Sequence, residues 1–152
     1  MGKGTGDSDR VTVRLARTSD ARHIATLCLQ LGYPASQGQV QRRLERIQQE
    51  NHHALYVAER SDGHVIGWVH AYVRHLVVVD AHAEVGGLIV DQDCRKRGVG
   101  RLLMQTVEQW ARRQGCRAVR VRSNVVREGA HAFYKRIGYS TVKNQAVFYK
   151  EL

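Results

Sequence analysis

The sequence predicts a single α/β (α+β) domain on a mixed sheet. Short stretches alternate apolar and polar residues, longer ones repeat apolar residues at helical spacing, and the two kinds interleave as β-α-α-β-β-β-α-β-α-β. The chain has 152 residues and is 43% hydrophobic, enough to bury one core. Residues 10–152 hold one proline, Pro34, and no repeat, linker or low-complexity tract, so the expected division is a disordered tail over 1–9 and one domain over 10–152.

VTVRLA (11–16) alternates and reads as the first strand. Thr18 or Ser19 can cap the helix that follows, Ile24, Leu27, Cys28 and Leu31 share its inner face, and Gly32 stops it. A second, weaker helix after Pro34 carries Val40, Leu44 and Ile47. ALYVAE (54–59) and VIGWVHAYV (65–73) flank Ser61-Asp62-Gly63-His64, a hairpin signal. LVVVD (76–80) fits either a strand extension or a loop over a site. AEVGGLIV (83–90) is a strand with two central glycines, the mark of a bulge or of a close approach. Val99, Leu102, Leu103, Thr106, Val107 and Trp110 form the apolar stripe of the clearest helix, 99–114, which Gly115 closes. RAVRVRS (117–123) is a strand, Ala130 to Ile137 a short helix ended by Gly138, and 139–150 is expected to form a last strand pair.

Composition limits the function classes. No apolar run approaches membrane-spanning length and no signal peptide is visible, so the expected setting is cytoplasmic, with no membrane partner. The amino terminus lacks a myristoylation pattern, because Gly6 stands where Ser or Thr is required. Cys28, Cys94 and Cys116 form no CxxC pair, and the eight histidines form no HExxH, so neither a disulfide scaffold nor a metal is expected. The formal net charge of +10 favours an anionic partner, either a phosphate-bearing cofactor or nucleic acid.

The segment DCRKRGVGRL (93–102) concentrates that charge at one point. Arg95, Lys96, Arg97 and Arg101 surround Gly98, Val99 and Gly100 where a strand gives way to a helix. The first amides of a helix lack internal partners and sit at the positive end of its dipole, and glycines let the backbone close on an anion. The combination suits a phosphate or diphosphate. It is neither a P-loop, which needs GxxxxGK[ST], nor a dinucleotide fingerprint, which needs a third glycine.

R-x-x-G-x-G after a strand, opening an amphipathic helix, resembles the acetyl-CoA diphosphate loop of the GNAT (GCN5-related N-acetyltransferase) superfamily. AEVGGLIVD resembles that family's central fourth strand, and SNVVREGAHAFYKRIGY (123–139) its later signature. The resemblance spans about residues 10–152. It implies a mostly antiparallel mixed sheet flanked by about four helices and splayed between its fourth and fifth strands, with the pantetheine arm of acetyl-CoA inserted there. Leu88, Ile89 and Val90 would lie along that arm, the Leu88 N–H meeting the thioester carbonyl. Arg95, Lys96, Arg97, Gly98, Val99, Gly100 and Arg101 would grip the diphosphate. Asn124, Arg127, Ala130, Phe133 and Tyr134 would border the cofactor, although Asn124 could equally cap the short helix. Glu84 would be the general base that deprotonates the amine, directly or through water; an ordinary ion-paired strand glutamate is the alternative. Tyr134 would be the acid that protonates the thiolate, with a packed aromatic as the alternative.

The expected activity is acetyl-CoA-dependent transfer to a primary amine of a small molecule, by direct attack in a ternary complex. LGYP (31–34) and the ending NQAVFYKEL are similar to members acting on small amines, aminoglycosides among them, while the cationic field disfavours a polycationic acceptor. Acetylation of protein N-termini or lysines is the alternative within the class. Outside it stand a basic nucleic-acid-binding module, disfavoured by the lack of an aromatic platform, and a non-catalytic acyl-CoA sensor. The resemblance also implies a homodimer through the C-terminal strands. Tyr33, Trp68 and Tyr72 are expected in the core, and His70, His75 and His82 are structural residues or lining of an acceptor pocket.

Overall fold

A computed structural model describes residues 10–123 and 128–152 of the chain. These fall into two compact units, Met1–Val121 and Arg122–Leu152. The tail expected over 1–9 lies outside the described residues.

The first unit is a five-stranded sheet in the order β1-β2-β3-β4-β5: Val11–Leu15, His53–Arg60, Val65–Arg74, His82–Val90 and Val119–Val121. The first four strands pair antiparallel, and β5 joins β4 in parallel. A parallel neighbour requires a crossover, and the helix α3 (Val99–Arg113) supplies it. The pairing of β5 with β4 covers only Ala83 to Val85, whereas β4 runs on to Val90. Among the described residues, the β5-side edge of β4 from Gly86 to Val90 is therefore unpaired, and the sheet splits there as the resemblance implied.

Helices cover both faces. α1 (Ala21–Leu31) and α2 (Gln37–Gln48) place Ile24, Leu27, Val40 and Leu44 in one buried cluster with Val57, Trp68 and Ile89 of the sheet. Ser36 and Gln39 cap α2 reciprocally, side chain to backbone amide at 3.1 and 3.0 Å. On the other face α3 buries Leu103, Met104, Val107 and Trp110; Leu103 reaches within 3.3 Å of a Cβ built on Gly67, next to Trp68 on the alternating strand. Arg14 clamps this unit, donating to Asp20 at 2.8 and 2.9 Å and to Glu59 at 2.7 Å. Although burial opposes it, the Arg14 guanidinium and the Arg17 amide hold the Asp20 carboxyl below the usual carboxylate range.

The second unit contains α4, Glu128–Arg136. Residues 139–152 are assigned no strand, which differs from the pair expected at 139–150. Alternation indicates which residues could share a strand face, but a strand also requires a ladder with a neighbour, and alternation does not name one. Residues 75–80 are a loop, and Tyr33, expected in the core, is 69% exposed because the chain has already left α1 at Gly32. Among the described residues no helix is long and apolar enough to cross a membrane.

Candidate active site

Glu84 sits in the middle of the sheet and is 2% exposed. An unpaired buried carboxylate would be costly, and two β3 side chains compensate it. Tyr72 donates its hydroxyl to Glu84 Oε2 at 2.6 Å, and Arg74 donates to the same oxygen at 2.9 Å. Register explains the meeting: Tyr72 stands directly opposite Glu84, with Arg74 one diagonal step away on the same face.

One residue further on, past Val85, the strand bulges. The register shifts from Ala71↔Val85 to His70↔Gly87, leaving Gly86 as the extra residue. A Cβ on Gly86 would stand 3.3 Å from the Tyr72 ring and 3.4 Å from His70 Nδ1, while one on Gly87 would stand 2.7 Å from Trp68 Cη2. Trp68, His70 and Tyr72 alternate along one face of β3, so Gly86 and Gly87 both turn toward that face. At Gly87 the indole leaves no room for a side chain, which is why a glycine is needed there.

β4 then presents Leu88, Ile89 and Val90. Ile89 is buried in the core, whereas Leu88 and Val90 are half-buried. Alternate residues of a strand direct their N–H and C=O groups to alternate sides, so this stretch aims amide groups at the unpaired edge. Asp91 caps a short 3-10 turn, Gln92–Cys94, accepting from the Asp93 amide at 3.1 Å. Two left-handed residues follow, Lys96 at φ 63° and Gly98 at φ 81°, and Gly98 is the N-cap of α3 without a side-chain cap. Alternation of handedness in such a turn brings successive amides onto a common concavity, here at the positive end of a 15-residue helix. Arg95, Lys96, Arg97 and Arg101 are exposed around it, Gly100 is half-buried and Val99 is buried. Arg95 folds back to donate to Val90 O at 3.1 Å. Arg97 also borders a cavity of about 270 Å³ lined by Val11, Arg60, Ile66, Cys94 and Val99. The first unit thus holds the carboxylate, the open strand edge and the basic helix start on one continuous segment, 84–101.

The other candidates belong to the second unit. Ala130, Phe133 and Tyr134 lie on α4 and are half-buried. Tyr134 meets Phe133 and Tyr139 edge-on, with ring centres 5.2 and 6.0 Å apart, and its carbonyl accepts from the Tyr139 amide at 2.9 Å. Asn124 and Arg127 lie outside the described residues.

Sequence reasoning offered an ion pair for Glu84 only as the alternative to a base, and it named neither Arg74 nor Tyr72. Tyr72 is half-buried and polar in function, rather than core, whereas Trp68 is core at 8% exposure. The available signal was His70, Tyr72 and Arg74 at two-residue spacing, which places three polar groups on one strand face. His70 in turn meets His53 of β2, Nε2 to Nδ1, at 3.0 Å. Burial, and then the neighbouring His53, push the His70 imidazole down to about 4, so it is neutral at physiological pH.

The family model described as Acetyltransferase (GNAT) family matches residues 19–139. Aminoglycoside N(6')-acetyltransferase type 1 of Stenotrophomonas maltophilia is 27% identical over 141 residues, covering 90% of this chain and 91% of that protein. Among solved structures, the aminoglycoside N-acetyltransferase AAC(6')-Iy in complex with CoA superposes with a TM-score of 0.83 at 23% identity, over 93% of this chain and 95% of that one. Glucosamine-6-phosphate N-acetyltransferase of Arabidopsis thaliana superposes with a TM-score of 0.80 at 19% identity, over 94% of this chain and 100% of that one.

Proposed function

Because the chain belongs to the acetyltransferase (GNAT) family, and so is an acyltransferase, we propose that it moves an acetyl group from acetyl-CoA to the primary amine of a small molecule by direct attack in a ternary complex. The observation that carries this reading is the 2%-exposed Glu84 carboxylate one residue short of the bulge that opens the strand edge. Acetyl-CoA as co-substrate is supported by the CoA in the AAC(6')-Iy structure and by the basic, doubly left-handed turn before α3.

In this reading residues 10–152 act as one N-acetyltransferase domain. The amides of Leu88 to Val90 pair with the pantetheine arm, and the Leu88 N–H stabilises the charge that grows on the thioester oxygen during attack. The amides and cations of 95–101 hold the diphosphate, with Asn124, Arg127, Ala130 and Phe133 bordering the cofactor. Glu84 takes a proton from the ammonium group, which cannot attack until it is neutral. Tyr134 returns a proton to the departing thiolate. Homology to aminoglycoside acetyltransferases supports a small-molecule acceptor, whereas the net charge of +10 and the cation already seated on Glu84 favour an amine bearing little positive charge.

The test is thiol release from acetyl-CoA across polyamines, amino acids, aminoglycosides, amino sugars and peptides. Turnover with at least one small amine is expected. Turnover confined to peptides would move the acceptor to protein, and acetyl-CoA binding with no turnover on any amine would leave a sensor.

A further inference from the structure

His53 and His70 form a pair that the proposed chemistry does not use. The His53 Nδ1 and His70 Nε2 atoms are 3.0 Å apart, so one hydrogen lies between them. With Nε2 of His70 engaged, its other nitrogen, Nδ1, is the one directed at the bulge, 3.4 Å from where a Gly86 Cβ would stand. Tyr72 covers the same spot and is itself the donor to Glu84, so His70 Nδ1 and the buried Glu84 carboxylate flank the same phenol ring on one face of the sheet. At the outer end of the pair, His53 Nε2 lies 3.7 Å from Glu50, whose side chain is 56% exposed.

We propose that the His53–His70 pair carries to solvent the proton that the acceptor amine sheds. The inference rests on the transferase reading. An ammonium group loses two protons in becoming an amide: the second leaves with CoA as its thiol, and the first must reach bulk water. Glu84 Oε2 already accepts from Tyr72 and Arg74, so a proton taken by this carboxyl has to move on before the next turnover. Through an active-site water, the carboxyl O–H bond breaks and an N–H bond forms at His70 Nδ1. The His70 Nε2–H bond breaks as one forms at His53 Nδ1, and the His53 Nε2 proton is lost to water beside Glu50. One proton enters and one leaves; the rings exchange tautomers and return by reorientation. His70, held neutral by burial, passes the proton along without storing it. Among the described residues, the charged and titratable groups recorded at the pair include Glu50 before β2 and Tyr72 on β3, with Glu84 of β4 and Arg74 of β3 joined to Tyr72.

Two measurements on the full chain test this. Nitrogen-15 histidine NMR at neutral pH is expected to show His70 protonated on Nε2 and bare on Nδ1; a proton on Nδ1 overturns the relay whatever the activity. In turnover, His70→Gln is expected to lower kcat about 10²-fold and His53→Gln about tenfold, the size of one lost proton-transfer group or less. Acetyl-CoA affinity by calorimetry should stay within about twofold, which also reports that the variants fold, and added imidazole should restore part of the rate. Unchanged kcat in His70→Gln beside an active wild type overturns the relay alone. A wild type that binds acetyl-CoA but acetylates no amine overturns the transferase reading and the relay with it.

Discussion

Glu84 is a buried carboxylate that accepts from Arg74 and Tyr72, and in the proposed reaction it is the base that takes the proton of the amine. Glu84→Gln should reduce kcat about 10²–10⁴-fold near neutral pH. The deficit should shrink as pH rises, because the free amine no longer needs a base; a deficit independent of pH between 6.5 and 9.5, measured by thiol release, would assign Glu84 to structure. His70 carries a separate pH signature in stability. Its imidazole sits near 4 in the fold against an ordinary value of 6.5. Between those two pH values the unfolded chain binds a proton that the folded chain refuses, so stability must fall as pH drops through that window. Denaturant titration should therefore show a loss on the order of 3 kcal/mol from pH 7 to pH 4 that His70→Gln removes. Equal losses in both proteins would contradict the burial of a neutral ring. The Asp20–Arg14 pair acts lower on the scale: a depressed carboxyl contributes stability above the ordinary carboxylate range and loses it as pH falls through its own folded value.

The turn before α3 was legible because its signal is local. Glycines and cations next to an amphipathic repeat are visible in ten residues, and the helix itself ended within one residue of its expected limit. The need for Gly98 was equally local, and its φ of 81° now gives the reason. Gly98→Ala should cost about 1 kcal/mol in folding stability, since a Cβ meets nothing in space and only backbone strain opposes it. The same variant should weaken acetyl-CoA binding more than it lowers the melting temperature suggests, because the strained residue aims the first amides of α3; unchanged calorimetric affinity would detach the turn from the cofactor. The strands expected at 139–150 were not legible in the same way. Pairing is a long-range property, and the apolar residues Val142, Val147, Phe148 and Tyr149 carry no information on the neighbour. The Tyr72–Glu84–Arg74 contact was hidden for the same reason, although its register could be reached once β3 and β4 were taken as an antiparallel pair.

At the scale of the molecule, the order of elements as far as α4 was readable because each strand and helix carries its own period, and the motifs at 83–91 and 95–100 fell on β4 and on the turn into α3. The split of the sheet was not readable from periodicity; it rested on family resemblance until the pairing of β4 and β5 proved to stop at Val85. Net charge acts at this scale as well. A +10 protein attracts acetyl-CoA and repels polycations, so raising salt should weaken acetyl-CoA binding and lower the KM of any polycationic amine. Parallel kinetics at low and high ionic strength check both signs, and a shared direction would show that a local acidic patch outweighs the overall field. The most direct test of the account is backbone hydrogen exchange with and without acetyl-CoA. Strong new protection is expected at Leu88 and Val90, whose amides face the unpaired strand edge, and at 98–101, where free helix amides would meet the cofactor. Exchange that stays the same across both stretches at saturating acetyl-CoA would contradict it.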